Sequence, residues 1–319
     1  MVTFEILDNY CYYLSSVLNR SKISVRNYSG DVCLFFKYWK KKKRLCSAKG
    51  EVDISNITVK NIRKVSSEDI ISYLVHLENK EGICSSSRAR KLSALKSFFK
   101  YCHQQKKIID IDPTANIGGP KLGQRQPKYL TLEESQELLH AAYESGSKNN
   151  ERNYCIVVIF LNCGIRLAEL RGINVKDIHG NKLTVIGKGN KERTVYLTDA
   201  CLDALKDWED KRKNIKIDKN DQDALFVSNR GKRISDDAVQ YAVKKLFAEI
   251  GLDTTKYSVH KLRHTAATLM YKYGNADIRS LCAILGHESV STTQIYTHVD
   301  EEELRQVVRS NPLAAFSPD

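Results

Sequence analysis

Tyr154-Cys-Ile-Val-Val-Ile-Phe-Leu-Asn-Cys-Gly164 reads as an apolar helix stopped by a glycine, and the segments around it are helical too. Upstream, Thr131-Leu-Glu-Glu starts a capped helix. Downstream, two strand-like runs interrupt the pattern, Leu183-Thr-Val-Ile186 and Thr194-Val-Tyr-Leu197. Between them lies Gly187-Lys-Gly-Asn-Lys-Glu-Arg193, whose glycines and asparagine suit a tight turn. Helical spacing resumes over 199–214, 235–250, 258–273 and 277–285, with short helices predicted at 291–298 and 300–309. This part of the chain is expected to be mainly α with a small β-sheet.

The N-terminal part reads as a bundle of four helices. Phe4 to Leu18 has near-helical apolar spacing, and a second stretch runs from Ser24 through Phe35, Phe36, Tyr38 and Trp39. Ser66-Ser-Glu-Asp caps a third helix through Tyr73 and Leu77, and a fourth runs from Arg88 to Tyr101. On the fourth, Leu92, Leu95, Phe98 and Phe99 form the packing stripe, while Arg88, Arg90, Lys91 and Lys96 make another face basic. Asp112 to Pro127, with Ile117-Gly-Gly-Pro120 and Gly123, has the composition of a linker, so the domains are expected at 1–122 and 123–319.

The chain has 319 residues, 42% hydrophobic and 28% charged, which excludes collagen-like and wholly disordered classes. No window approaches the ~18 uncharged apolar residues a membrane span requires, and the N-terminus lacks a basic region before an apolar one. Nine cysteines without a Cys-x-x-Cys pair fit a reducing compartment, so a cytoplasmic location with no membrane partner is expected. Net charge is +13, and residues 1–126 hold 23 basic against 11 acidic residues, nearly all of the excess. A basic block beside a near-neutral one suits a polyanionic partner. Lys37 to Arg44 alone carries six cations, and Arg26 lies on the same predicted helix.

Three segments carry chemistry. Ser258-Val-His-Lys-Leu-Arg-His264 places His260, Arg263 and His264 on one helix face. Zinc is not expected there, because Arg263 would set a like charge beside the metal. Leu285-Gly-His287 puts a histidine past a glycine helix stop, and Thr292-Thr-Gln-Ile-Tyr-Thr-His298 bears Tyr296 on a short helix. Taken singly, the last two segments are as compatible with a cap and with packing as with catalysis.

Together with Gly164-Ile-Arg166-Leu-Ala-Glu169 and Ile186-Gly-Lys188-Gly-Asn, these segments resemble the tyrosine recombinases, most closely the Xer-type site-specific recombinases of bacteria. The resemblance covers nearly the whole chain, in order. It implies a four-helix core-binding (SAM-like) domain, a mostly helical catalytic domain, and a reaction through a 3′-phosphotyrosine and a four-way junction. Arg166 and Arg263 would neutralise the phosphate, since a guanidinium offers a bidentate fork and stays ionised. Tyr296 would be the nucleophile, Lys188 the general acid for the leaving 5′ oxygen, and His260 and His287 would orient the phosphate or move protons. No cofactor or metal is implied.

The implied partner is double-stranded DNA with paired half-sites, held by a homo-tetramer or a heterotetramer with a paralogue. Arg26, Lys37, Arg88, Arg90, Lys91 and Lys96 are the expected phosphate contacts. The tail from Asp300, with Leu304, Val307 and Val308 in a narrow stripe, either packs on its own domain or, as the resemblance implies, docks on a neighbouring protomer. Because the core-binding helices begin with the chain, a simple Xer-like system in chromosome dimer resolution is expected before a mobile-element integrase with distant arm sites. The alternatives are a type IB topoisomerase-like enzyme and a non-catalytic DNA-binding protein.

Overall fold

The computed structural model describes residues 3–46, 51–120, 128–187, 189, 191–274 and 276–286. The chain divides into two compact units, Met1–Gln124 and Arg125–Asp319.

The first unit holds helices α1 (Glu5–Tyr12), α2 (Lys22–Lys42), α3 (Val59–Arg63), α4 (Ser67–Asn79) and α5 (Ser85–Lys100). Ser21 caps α2 by accepting from the Ser24 N–H, and Ser66 and Asp69 cap α4 reciprocally. The core is aromatic: Phe4, Phe35, Phe36, Trp39, Phe98 and Phe99 are buried. Their rings meet edge to face, as in Phe4–Phe36 at 5.2 Å and 80° and Phe98–Phe99 at 5.3 Å and 77°, the arrangement the ring quadrupole favours. Each such burial is worth about 1.5–3 kcal/mol.

Two expectations change here. Among the described residues the short α3 is added to the four expected helices, and the last of them begins at Ser85 rather than Arg88. The predicted linker also starts late, because Ile117 still packs on the aromatic core and Asp112 turns the chain by accepting from the Thr114 N–H at 2.8 Å. Residues 121–127 lie outside the described residues.

In the second unit α6 (Leu132–Glu144) leads to α7 (Asn150–Cys163), on which every side chain from Cys155 to Leu161 is buried. A helix apolar all round must be central, and α6, α9 (Asp199–Arg212) and α11 (Val259–Tyr273) pack against it. The short α8 (Leu167–Gly172), which the sequence did not announce, precedes an antiparallel sheet of β1 (Ile178–His179), β2 (Lys182–Ile186) and β3 (Glu192–Tyr196). The sheet therefore has three strands instead of a lone hairpin. Arg193 belongs to β3, opposite Val185, and not to the turn. Helices α10 (Asp236–Glu249) and α12 (Ile278–Leu285) complete its described part. The helices expected at 291–298 and 300–309, with the docking tail, lie outside the described residues.

Gly164 ends α7 in the left-handed region, at φ 58° and ψ 27°. A Cβ there would sit 2.8 Å from Leu285 Cδ2. Gly164→Ala is therefore expected to destabilise the protein by about 1–3 kcal/mol, read as a lower urea midpoint at unchanged slope. An unmoved midpoint would refute the close approach of α7 and α12.

Candidate active site

Arg166 stands at the start of α8, just beyond the Gly164 corner. Its backbone N–H and its Nη1 donate to the two oxygens of Glu169, both at 2.8 Å, and its Nη2 donates to the Gly286 carbonyl at 3.2 Å. Its other three N–H donors have no partner among the described residues. The side chain is 32% exposed, open enough to meet a ligand.

Arg263 is placed differently. Carried by the first turns of α11, it is only 6% exposed. Its Nη1 donates to the Gly164 carbonyl at 2.6 Å and its Nη2 to the Leu285 carbonyl at 2.7 Å. It thus ties the end of α7 to the end of α12. Arg193, from β3, donates through Nε to the Ile284 carbonyl at 3.2 Å.

Three consecutive carbonyls at the C-terminal end of α12, those of Ile284, Leu285 and Gly286, therefore each receive one arginine. The physical cause is local. The last carbonyls of a helix have no partner within it and carry its negative dipole end, so they attract cations. The same feature gathers two arginines that the sequence keeps 97 positions apart, at 166 and 263. Adjacent guanidiniums of this kind neutralise the charge that builds on a phosphodiester under attack.

Glu169 is 4% exposed. Burial pushes its carboxyl upward, but hydrogen bonds from Arg193 and from the Arg166 backbone and side chain overcome this and bring it down to about 2. It is ionised at any working pH. His264 is drawn the other way: burial, with the positive charges of Lys261, His260 and Arg263, lowers it to about 4, so it is neutral near pH 7. His260 is exposed on the first turn of α11. Of the six expected catalytic positions, Arg166 and Arg263 are brought together and His260 lies one helical turn from Arg263, whereas Lys188, His287 and Tyr296 lie outside the described residues. Among the described residues no group of three or more His, Cys, Asp or Glu side chains is placed to hold a metal ion.

The basic residues of the first unit divide into two sets. Arg26 is exposed and Lys96 half-buried, and neither has an acidic partner among the described residues. Lys37 pairs with Glu51 at 2.8 Å, and Arg88 pairs with Glu78. Arg90 and Lys91 both pair with the buried Asp31 of α2. Lys91 is a correction: at 7% exposed it is an interior counter-charge and not a surface contact, because Asp31 cannot be buried unpaired. Lys40, in the lysine run, is likewise buried, donating to the Asp53 carbonyl at 2.6 Å and to Asn56 at 2.7 Å.

Residues 128–303 match the phage integrase family, and residues 7–106 match the phage integrase N-terminal SAM-like domain. The chain belongs to the phage integrase family. Among its relatives, the tyrosine recombinase XerC of Caldanaerobacter subterraneus subsp. tengcongensis is 47% identical over 97% of this chain and 87% of its own. The tyrosine recombinase XerD of Halalkalibacterium halodurans is 32% identical over 78% of this chain and 82% of its own. As a family member the chain is a tyrosine recombinase, an enzyme that breaks and rejoins DNA.

The fold recurs in XerH site-specific recombinase bound to difH before cleavage, with TM-score 0.69, 23% identity, and 95% and 83% of the two chains covered. It recurs in a lambda integrase tetramer bound to a Holliday junction, with TM-score 0.64, 17% identity, and 90% and 77% covered. Within this integrase-family site the sequence reading gave no role to Glu169 and Arg193. One signal was available: alternation along Glu192-Arg-Thr-Val-Tyr196 puts Arg193 on the same strand face as the buried Val195, an unusual place for a charge.

Proposed function

We propose that the chain cuts duplex DNA by attack of the Tyr296 phenol on a phosphodiester. The 3′ phosphate becomes joined to the tyrosine and the 5′ oxygen leaves with a proton from Lys188. Arg166 and Arg263 hold the non-bridging oxygens, with His260 and His287 completing the charge and proton handling. The freed 5′ hydroxyl then attacks a partner's phosphotyrosine, so the ester bond energy is conserved and no nucleotide is consumed. The observation that supports this best is the pair of arginines on neighbouring carbonyls of α12, one buried and fixed, the other with donors unpartnered among the described residues. The same reading carries a tetramer on paired half-sites, residues 1–122 and 123–319 as core-binding and catalytic domains, action in the cytoplasm, and a role in chromosome dimer resolution. Kinship with named recombinases gives no support to the topoisomerase or non-catalytic alternatives.

Recovery and sequencing of covalently attached DNA tests this directly. Adducts should fall at one position in a pseudo-palindromic site, and adducts dispersed over unrelated sequence would overturn site-specific recombination.

The two sets of basic residues in the first unit should separate by salt. Arg26→Ala together with Lys96→Ala is expected to flatten the slope of log K against log salt by about 0.9 per lost phosphate contact, with the melting temperature unchanged. Lys91→Ala should do the reverse, lowering the melting temperature by stranding Asp31 and leaving the slope alone. An unchanged slope in the double variant would remove Arg26 and Lys96 from the DNA surface.

A further inference from the structure

Arg193 occupies an inward strand position at 13% side-chain exposure, where a hydrophobic residue would ordinarily sit. All three of its nitrogens are engaged. Nη1 donates to Glu169 Oε1 at 2.7 Å, Nη2 to Glu169 Oε2 at 3.0 Å, and Nε to the Ile284 carbonyl. Each Glu169 oxygen is thus shared: Oε1 between the Arg193 and Arg166 side chains, Oε2 between Arg193 and the Arg166 backbone N–H.

The backbone at Gly286 approaches this pair closely, and that at Gly187 lies in ordinary contact with it. A Cβ on Gly286 would lie 2.9 Å from Arg193 Cδ, and a Cβ on Gly187 would lie 3.5 Å from Glu169 Oε1. The residues following these two glycines are His287 and Lys188.

The charge count gives the arrangement its meaning. Arg166 beside Glu169 alone would be a neutral pair, with little positive charge left for a phosphate. With Arg193 on the same carboxylate, the trio carries one net positive charge. Of the two arginines Arg166 is the more open, 32% against 13% exposed, and it keeps three N–H donors without a partner among the described residues, so the net charge is presented to substrate through Arg166.

We propose that Arg193 is a positioning residue for strand cleavage, which neutralises Glu169 so that Arg166 keeps its charge for the scissile phosphate while remaining oriented by the same carboxylate. The inference rests on the recombinase function proposed above. It also explains why the acid is tolerated in a site that must attract an anion: Glu169 aims Arg166, and Arg193 removes the electrostatic penalty.

Four proteins decide it, assayed for covalent adduct on a nicked suicide substrate and for DNA affinity. Arg193→Met keeps the aliphatic stem packed on Gly286 but loses the charge, and is expected to slow cleavage about 100-fold, the scale of one lost electrostatic stabiliser, with affinity within about threefold. Arg193→Lys keeps the charge without the fork and should lose about tenfold or less. Glu169→Gln added to Arg193→Met removes the uncompensated negative charge, and should recover at least tenfold over Arg193→Met alone.

A purely structural clamp predicts the opposite for the double variant, which then has lost both partners and should be no better than the single one. That result would overturn the proposal, as would an Arg193→Met protein that cleaves like the wild type. Should Arg193→Met fail to fold by circular dichroism, Arg193→Gln against Arg193→Gln/Glu169→Gln gives the same charge comparison, and wild-type cleavage by the first or no recovery in the second would count against the proposal. Absence of any adduct from the wild type would instead refute the recombinase reading itself, and the inference would fall with it.

Discussion

Tyr296→Phe should form no covalent adduct on a nicked suicide substrate while binding the same DNA with unchanged affinity. Only the attacking oxygen is removed, so the loss falls wholly on the chemical step, on the order of 10⁴-fold or more as for other covalent nucleophiles. The phenol is a demanding choice, since its ordinary pKa near 10 leaves little phenolate at neutral pH. Positive charge at the phosphate lowers that cost, and Arg166, with three donors unpartnered among the described residues, and Arg263 beside it are the groups on hand. A hydrolytic nuclease with an ornamental tyrosine would still cut after this substitution. Undiminished adduct from Tyr296→Phe would remove Tyr296 from the reaction.

Arg263→Ala carries the second large effect, and it should be twofold in kind. Cleavage should fall by about 10²–10³, the range for a lost transition-state donor. Stability should fall as well, because the Gly164 and Leu285 carbonyls each lose a buried donor, at about 1–3 kcal/mol apiece. Arg166→Ala should match it in cleavage but not in melting temperature, since Arg166 is partly exposed and its Glu169 partner retains Arg193. Suicide-substrate cleavage and thermal melts of the two variants, side by side, measure both effects. Equal melting temperatures would refute the assignment of Arg263 as the tie between α7 and α12.

The contrast between these arginines illustrates what kind of information each level holds. In the sequence, Arg166 and Arg263 look alike: each follows a helix signal and belongs to a short pattern. Their different work depends on what lies across the fold. Arg263 meets carbonyls 99 and 22 positions away in sequence, and Arg166 meets one 120 away. No local pattern encodes such partners.

The amino-acid sequence by itself determined the mainly α architecture, because apolar spacing, Ser and Thr caps and the glycine stops at Gly164 and Gly286 act within a turn or two of the residues that carry them. It also determined the chemistry on offer, since the functional residues sit in short segments whose order along the chain is itself the signal. Elements of five and six residues, α3 and α8, escaped it because they complete fewer than two helical turns, too little to show a period.

Tertiary structure alone decided the fate of the charges. Lys91 and Arg90 look like one basic face on α5 until Asp31, 60 positions earlier than Lys91, is brought against them. Arg193 looks like the end of a turn until Glu169 and the α12 carbonyls are packed beneath its strand. Helix and strand patterns are short-range and survive in any context. The worth of a charge depends on the dielectric and the partners around it, and those exist only once distant segments have come together.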